Sequence, residues 1–312
     1  MSAHSAAPRA VVFAYHDVGV RCLLVLLAGG VDVALVVTHD DDPAENVWYG
    51  SVKALCREHG IAAAVYPHPA DPALLAAVRA ARPDFLFSFY YRHMLPAELL
   101  ALAPAYNMHG SLLPAFRGRA PVNWAVLHGA DRTGATLHEM TARPDAGAIV
   151  AQTAVPILPD DTAYDVFAKV TVAAEQTLWG VLPALLAGTA PRRANDLRQG
   201  GYFGARTPAD GRIDWGRDAQ TVYNLHRAVA PPYPGAHTEL GGVVLTLVRA
   251  RLRPGRADGL PPGLRVLQGA IVGVCGDGGM LAIERLRAGA VEVGADALHA
   301  MLAAAGAAHD PT

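Results

Sequence analysis

Short apolar runs alternate with alanine- and leucine-rich stretches through the first half of the chain. Ala10–Tyr15 (AVVFAY), Val31–Thr38 (VDVALVVT), Ala62–Tyr66, Asp84–Tyr90 (DFLFSFY) and Ala105–His109 are nearly continuous in apolar, often β-branched or aromatic residues. Little polar alternation within such runs predicts strands covered on both faces. Between them, Leu23–Ala28 stops at Gly29-Gly30, and Pro72–Ala81 and Pro96–Ala103 have helical character.

Strands alternating with helices of this length predict an α/β fold with a Rossmann-like, doubly wound parallel sheet. Ligands of such sheets bind beyond the carboxyl ends of the strands. The residues following Ala105–Met108 and following the run Ala135–Thr141 are therefore where chemistry is expected. The first strand runs into Tyr15-His16-Asp17-Val18-Gly19 and not into GxGxxG, which removes the main support for a dinucleotide.

The second half reads differently. Thr162–Leu186 predicts one long helix before Gly188, and Thr189–Gly201 is polar and glycine-rich. Beyond it, His237–Arg251 and Leu264–Arg285 are short β-like runs broken by Gly241-Gly242 and Asp277-Gly278-Gly279, which are hairpin signals. The expected organisation is an α/β domain over residues 1–190, a linker over 191–201 and a smaller β domain over 202–312.

Charge and cysteine content narrow the function classes. The 26 Lys and Arg against 28 Asp and Glu leave a net charge of −2, which gives no global affinity for phosphate backbones, so no nucleic-acid partner is expected. Cys22, Cys56 and Cys275 form neither a CxxC pair nor a disulfide framework, which indicates a reducing compartment. MSAHSAAPRA lacks the apolar core of a secretory signal, and Cys22–Ala28 is far short of the roughly 20 residues that span a bilayer. A cytoplasmic protein without membrane insertion is the expectation.

The most informative segment is Asn107-Met108-His109-Gly110-Ser111-Leu112-Leu113-Pro114, continued by Arg117-Gly118-Arg119-Ala120-Pro121. Asn107 and His109 lie two residues apart at a strand end and so share a face. Asp145, in Arg143-Pro144-Asp145-Ala146-Gly147, follows another predicted strand. An amide and an imidazolium stabilise the oxyanion of an acyl-transfer intermediate. Imidazole also titrates near neutrality, and a neighbouring carboxylate favours its charged form. The alternative for all three is turn chemistry at strand ends. Phe89, Tyr90 and Tyr91 are candidates to stack on a planar ligand, although aromatic residues at a strand end are more often core. His138 with His109 and Asp145 lacks the close spacing of a metal site, so no metal is expected.

The ordered series NMHGSLLP, RGRAP and PDAGAIV resembles the folate-dependent formyltransferases, and more so the enzymes acting on the sugar nucleotide UDP-4-amino-4-deoxy-L-arabinose in lipid A modification and cationic antimicrobial peptide resistance. VFAYHDVG at Val12–Gly19, YGSV at Tyr49–Val52, FSFYYRH at Phe87–His93, Leu137-His138, FGARTP at Phe203–Pro208 and RAVAPPYPG at Arg227–Gly235 extend the likeness to about residue 278. The resemblance implies 10-formyltetrahydrofolate as formyl donor, no metal, and a second domain like an OB-fold barrel. It implies that Asn107 and His109 stabilise the oxyanion and handle protons while Asp145 tunes His109. It places the folate against His93, Met94, Leu95, Arg119 and the loop Thr141, Ala142, Arg143, Pro144. Ser111, Leu112, Leu113, Pro114 and Arg206 become candidate acceptor contacts.

Relatives that act on tRNA carry a basic loop after the second strand. Here that loop is His39-Asp40-Asp41-Asp42-Pro43-Ala44-Glu45, with four acids and no Lys or Arg. The expected partners are therefore a folate and a UDP-amino sugar, with the oligomeric state open between monomer and weak dimer. The better-known arabinose enzyme is fused to a decarboxylase; a free-standing transferase, or an isolated part of a fused one, is expected here.

Overall fold

In a computed structural model, residues 7–43 and 45–306 are described. The start of the segment read as lacking a secretory signal, Ala44 of the acidic loop and the last residues of the β domain lie outside them. The chain divides into two compact units. One holds the chain up to Pro121 with Arg132–Pro156 and Phe167–Gly204; the other holds Val122–Asp131, Ile157–Val166 and the chain from Ala205.

The first unit is built on β1 (Arg9–Ala14), β2 (Asp32–Thr38), β3 (Ala63–Val65), β4 (Phe85–Phe89) and β5 (Ala105–His109), all parallel. The helices α1 (His16–Ala28), α2 (Val52–Glu58), α3 (Pro72–Ala81) and α4 (Ala97–Leu100) connect them. The two-residue strand β6 (Arg117–Gly118) and α5 (Pro121–Leu127) lead into β7 (Arg132–Glu139), β8 (Ile149–Pro156) and the long α6 (Ala163–Leu186). The strand order is β3-β2-β1-β4-β5-β7-β8. The sheet is parallel up to β5, as the continuous apolar runs predict, but β7 and β8 are antiparallel. The connection from Met140 to Ala148 is too short for the crossover of about a dozen residues that a parallel pair requires.

Local sequence accounts for the elements. Asp71 caps α3 by accepting from the Ala73 N–H at 2.8 Å, and Pro72 opens the helix. Its buried face, Leu74 and Val78, packs with Val11, Phe13, Leu86 and Leu99, all fully buried. Each such side chain stabilises the fold by about 1.5–3 kcal/mol. This packing holds the sheet rigid beneath the carboxyl ends of β4 and β5.

In the other unit, α7 (Ala219–Val229) precedes an antiparallel sheet of β10 (Ala236–Leu240), β11 (Val243–Arg253), β12 (Gly263–Leu267), β13 (Ala270–Val274) and β14 (Met280–Ala288). A short β15 (Val291–Glu292) pairs with β14, and α8 (Ala295–Ala304) follows. The curled antiparallel sheet is the small β domain expected. The β10–β11 turn is Gly241-Gly242, at φ +56° and +78°, which suits glycine. The sequence pattern had not predicted α7, because its buried face carries the polar residues Asn224, His226 and Arg227.

Candidate active site

β5 and β7 create the site by pairing antiparallel, which sets Asn107 opposite His138 and His109 opposite Thr136. The His138 Nδ1–H donates to the Glu139 carbonyl at 2.7 Å. That leaves Nε2 as an acceptor for the Asn107 side-chain N–H at 3.1 Å and fixes which way the Asn107 amide points. His109, 6% exposed, donates from Nε2–H to the Phe116 carbonyl at 2.9 Å, so its Nδ1 is the nitrogen facing Asp145. The Asp145 Oδ1 stands 3.5 Å from His109 Nδ1 and 3.5 Å from His138 Nε2. Its Oδ2 accepts the Gly118 N–H at 2.8 Å. The carboxylate thus lies between two imidazoles.

The electrostatics follow from burial and charge. Burial pushes the Asp145 carboxyl up, but the two histidines and the Gly118 N–H outweigh it and hold the carboxyl down at about 2. Burial is the largest influence on His109 and pushes its pKa down, aided by His138; Asp145 and the Phe116 carbonyl resist. The net direction is downward, so the resting imidazole favours its neutral form. The carboxylate favours the imidazolium whenever a proton is taken up.

The remaining candidates fall into three groups. His93 and Met94 are exposed, His93 against the His39 and Tyr91 rings, while Leu95, 3% exposed, is committed to the core through its side chain. Arg119 donates from Nη2 to the Arg92 carbonyl at 3.1 Å, which joins the Arg117–Arg119 loop to the His93 segment. Thr141, Ala142 and Arg143 are exposed and Pro144 half-buried, with the Thr141 hydroxyl donating to the Arg143 carbonyl at 2.8 Å. In the proposed acceptor loop, Ser111 is fully buried and its hydroxyl donates to the Ala115 carbonyl at 2.6 Å. The Leu113 N–H donates to Thr136 Oγ1, and Gln152 Nε2 donates to the Leu113 carbonyl. Ser111 and Leu113 therefore brace the loop, and Leu112 and Pro114 are its half-buried members. Arg206 belongs to the other unit, where it lies over the Trp124 ring and donates to the Asp210 carbonyl.

Among the described residues, no group of three or more His, Cys, Asp or Glu is arranged to hold a metal ion. Among the same residues, no helix is long and apolar enough to cross a membrane.

The profile of the family described as formyl transferase matches residues 21–182, and that of the formyl transferase C-terminal domain matches residues 206–298. The chain belongs to the formyl transferase family. Solved structures share its fold. The N-formyltransferase from Helicobacter canadensis, in complex with folinic acid and dTDP-3-aminofucose, is 16% identical with a TM-score of 0.71, over 89% of this chain and 98% of that one. WlaRD, a sugar 3N-formyl transferase crystallised with dTDP and 5-N-formyl-THF, is 14% identical with a TM-score of 0.69, over 89% and 97%. HypX from Aquifex aeolicus, in a variant form, is 19% identical with a TM-score of 0.65; it covers 98% of this chain, which spans 49% of HypX.

The Phe116 carbonyl and the Gly118 N–H touch the trio and were not singled out by sequence reasoning, while His138, weighed there only as a metal ligand with His109 and Asp145, is the partner of the Asn107 amide. Backbone strain is a further pointer. Among the described residues, seven non-glycine residues have positive φ; of these, His16 and Tyr90 follow β1 and β4, Phe116 and Ala120 lie between β5 and α5, and Asp145 lies in the β7–β8 loop. Such conformations cost about 1–3 kcal/mol each and cluster at functional sites. Gly147 is required for a different reason: a Cβ there would meet the Glu139 carbonyl oxygen. Arg192 pairs with Glu139, and Arg193 donates to Gln152.

Proposed function

We propose that the chain transfers a formyl group from 10-formyltetrahydrofolate to the 4-amine of UDP-4-amino-4-deoxy-L-arabinose. The observation that carries this reading is the buried Asp145 carboxylate held 3.5 Å from His109 Nδ1, on the strand that also presents Asn107, in a chain of the formyl transferase family. The donor supplies a formyl carbon on a nitrogen leaving group. Exposed His93 and Met94, with Arg119 bonded to the adjacent Arg92 carbonyl, suit a flat heterocycle with a carboxylate tail.

In this reading Asn107 uses one side-chain N–H on His138 and offers the other to the formyl oxygen. As the acceptor amine adds to the formyl carbon, the free Asn107 N–H holds the developing oxyanion, neutral His109 takes up the proton the amine loses, and Asp145 stabilises the imidazolium so formed. Collapse breaks the bond between carbon and folate nitrogen. His109 passes that proton to the departing nitrogen, leaving a formamide and tetrahydrofolate. The proposed catalytic residues all lie in the first unit.

The loop after β2 supports a small acceptor over a nucleic acid. Its acids are internally paired: Asp40 with Lys53, Asp41 with the Tyr15 hydroxyl and Glu45 with Arg92. The loop brings no Lys or Arg of its own, so a phosphate backbone gains nothing there. One observation favours a second acceptor: the Helicobacter canadensis structure holds a dTDP-linked 3-amino sugar. Parallel assays with the UDP-linked arabinose amine and dTDP-3-aminofucose, read by product mass, separate the two. Formylation of the dTDP sugar alone would move the acceptor assignment and keep the chemistry.

A further inference from the structure

Residues 192–204, which take in most of the stretch 191–201 expected to be a linker and the first residues expected in the β domain, run along the candidate active site. Arg193 and Ile149 exchange two backbone hydrogen bonds of 2.8 Å. The Asn195 side-chain amide donates to the Asp145 carbonyl at 2.9 Å and to the Gly147 carbonyl at 3.2 Å. The Leu197 carbonyl accepts from Nη2 of Arg117, which is 6% exposed. The Gly201 and Phe203 carbonyls accept the N–H groups of Arg117 and Arg119 at 3.0 and 2.9 Å, pairing β6 with β9 (Tyr202–Phe203). One stretch of chain therefore grips both loops that meet at the Asp145 carboxylate. These are the loop carrying Asp145 and the loop whose Gly118 N–H holds Oδ2.

Asp145 needs such support. It sits at φ +49°, a left-handed conformation that an L side chain resists by about 1–2 kcal/mol and that persists only where its surroundings over-determine it. Two carbonyls converge on the Asn195 NH₂, which is the part of an amide that donates. The Asn195 Oδ1 is buried with no hydrogen-bond partner in the structure, so the two donated bonds alone set the orientation of this side chain. The contact lies on the backbone of Asp145 itself and joins residues fifty positions apart. From it we infer that Asn195 is a positioning residue, which holds the Asp145 backbone so that its carboxylate stays in reach of His109. The inference rests on the reading that His109 and Asp145 serve formyl transfer.

Asn195→Ala in the full chain should lower kcat by about 10–100-fold, the scale of a misplacement of about 1 Å, with both KM values within about threefold. The His109 ring signal, followed by NMR across pH, should titrate at lower pH than in wild type. In an Asp145→Asn background the same substitution should cost less than about threefold, because the group it positions is gone. Asn195→Gln, which keeps a donor on a longer arm, should recover part of the rate, and it carries the titration and the cycle if the alanine variant does not fold. An equal penalty in both backgrounds, or an unmoved His109 titration in the folded variant, overturns the inference. A shifted titration in a protein whose wild type formylates no amine would remove the functional reading and leave the positioning role standing.

Discussion

Asp145→Asn keeps the shape of the side chain and removes its charge, which isolates the role of the carboxylate. At 3.5 Å from His109 Nδ1, a unit charge stabilises an imidazolium by about 5 kcal/mol at an effective dielectric of about 20. The Asn side chain and the Phe116 carbonyl recover part of this as dipoles. A net loss of about 3–4 kcal/mol in the transition state corresponds to a fall in kcat/KM of about 10²–10³-fold. The sign of the pH effect is also fixed. Burial already lowers the His109 pKa, and Asp145 is the leading influence opposing it. Without it, the limb of the pH–rate profile that reports His109 moves to lower pH. The assay is kcat/KM for formyl transfer across pH, with wild type and variant matched for folded fraction. A variant within about threefold of wild type, with an unmoved profile, would refute the ion-pair account and leave Asp145 as a structural residue.

His109→Ala should lower kcat by about 10²–10⁴-fold in a protein that still unfolds cooperatively, measured by single-turnover kinetics beside urea denaturation. Because the Asp145 carboxyl is depressed from 3.8 to about 2, it contributes stability above its unfolded pKa, on the order of 2 kcal/mol. That contribution is lost as pH falls through about 4 towards 2, so the stability gap between wild type and Asp145→Asn should narrow over that window in urea titrations; a gap independent of pH would contradict it. Gly147→Ala drives a Cβ to within 2.0 Å of the Glu139 carbonyl oxygen, and should lower the melting temperature and shift the Asp145 loop. A variant as stable and active as wild type would mean that this loop tolerates displacement.

Much of the frame was legible because it is written locally. The apolar runs gave the five parallel strands, and Asp71-Pro72 with Leu74 and Val78 specified α3 to the residue. Asn107 and His109 were legible because a strand's period of two puts them on one face. What was hidden depends on partners distant in sequence. Nothing near Asn195 marks it as a donor to Asp145, and a polar, glycine-rich stretch reads as a linker whether it is solvated or gripping two loops. The left-handed turn at Asp145 is equally silent, since no glycine stands there to announce it. The antiparallel turn of β7 into β8 was recoverable in principle from the short Met140–Ala148 connection. Ser111 and Leu113 looked like loop residues open to a substrate, but the Thr136 and Gln152 side chains on β7 and β8 bind them into a brace.

The most direct test supplies the purified chain with 10-formyltetrahydrofolate bearing an isotopically labelled formyl group, together with UDP-4-amino-4-deoxy-L-arabinose. Tetrahydrofolate release and the mass of the sugar nucleotide are followed in wild type and His109→Ala. The account predicts one labelled formyl group gained per tetrahydrofolate released, abolished by the substitution. Folate turnover with no label on any amino sugar, or label transfer that survives loss of His109, would contradict it.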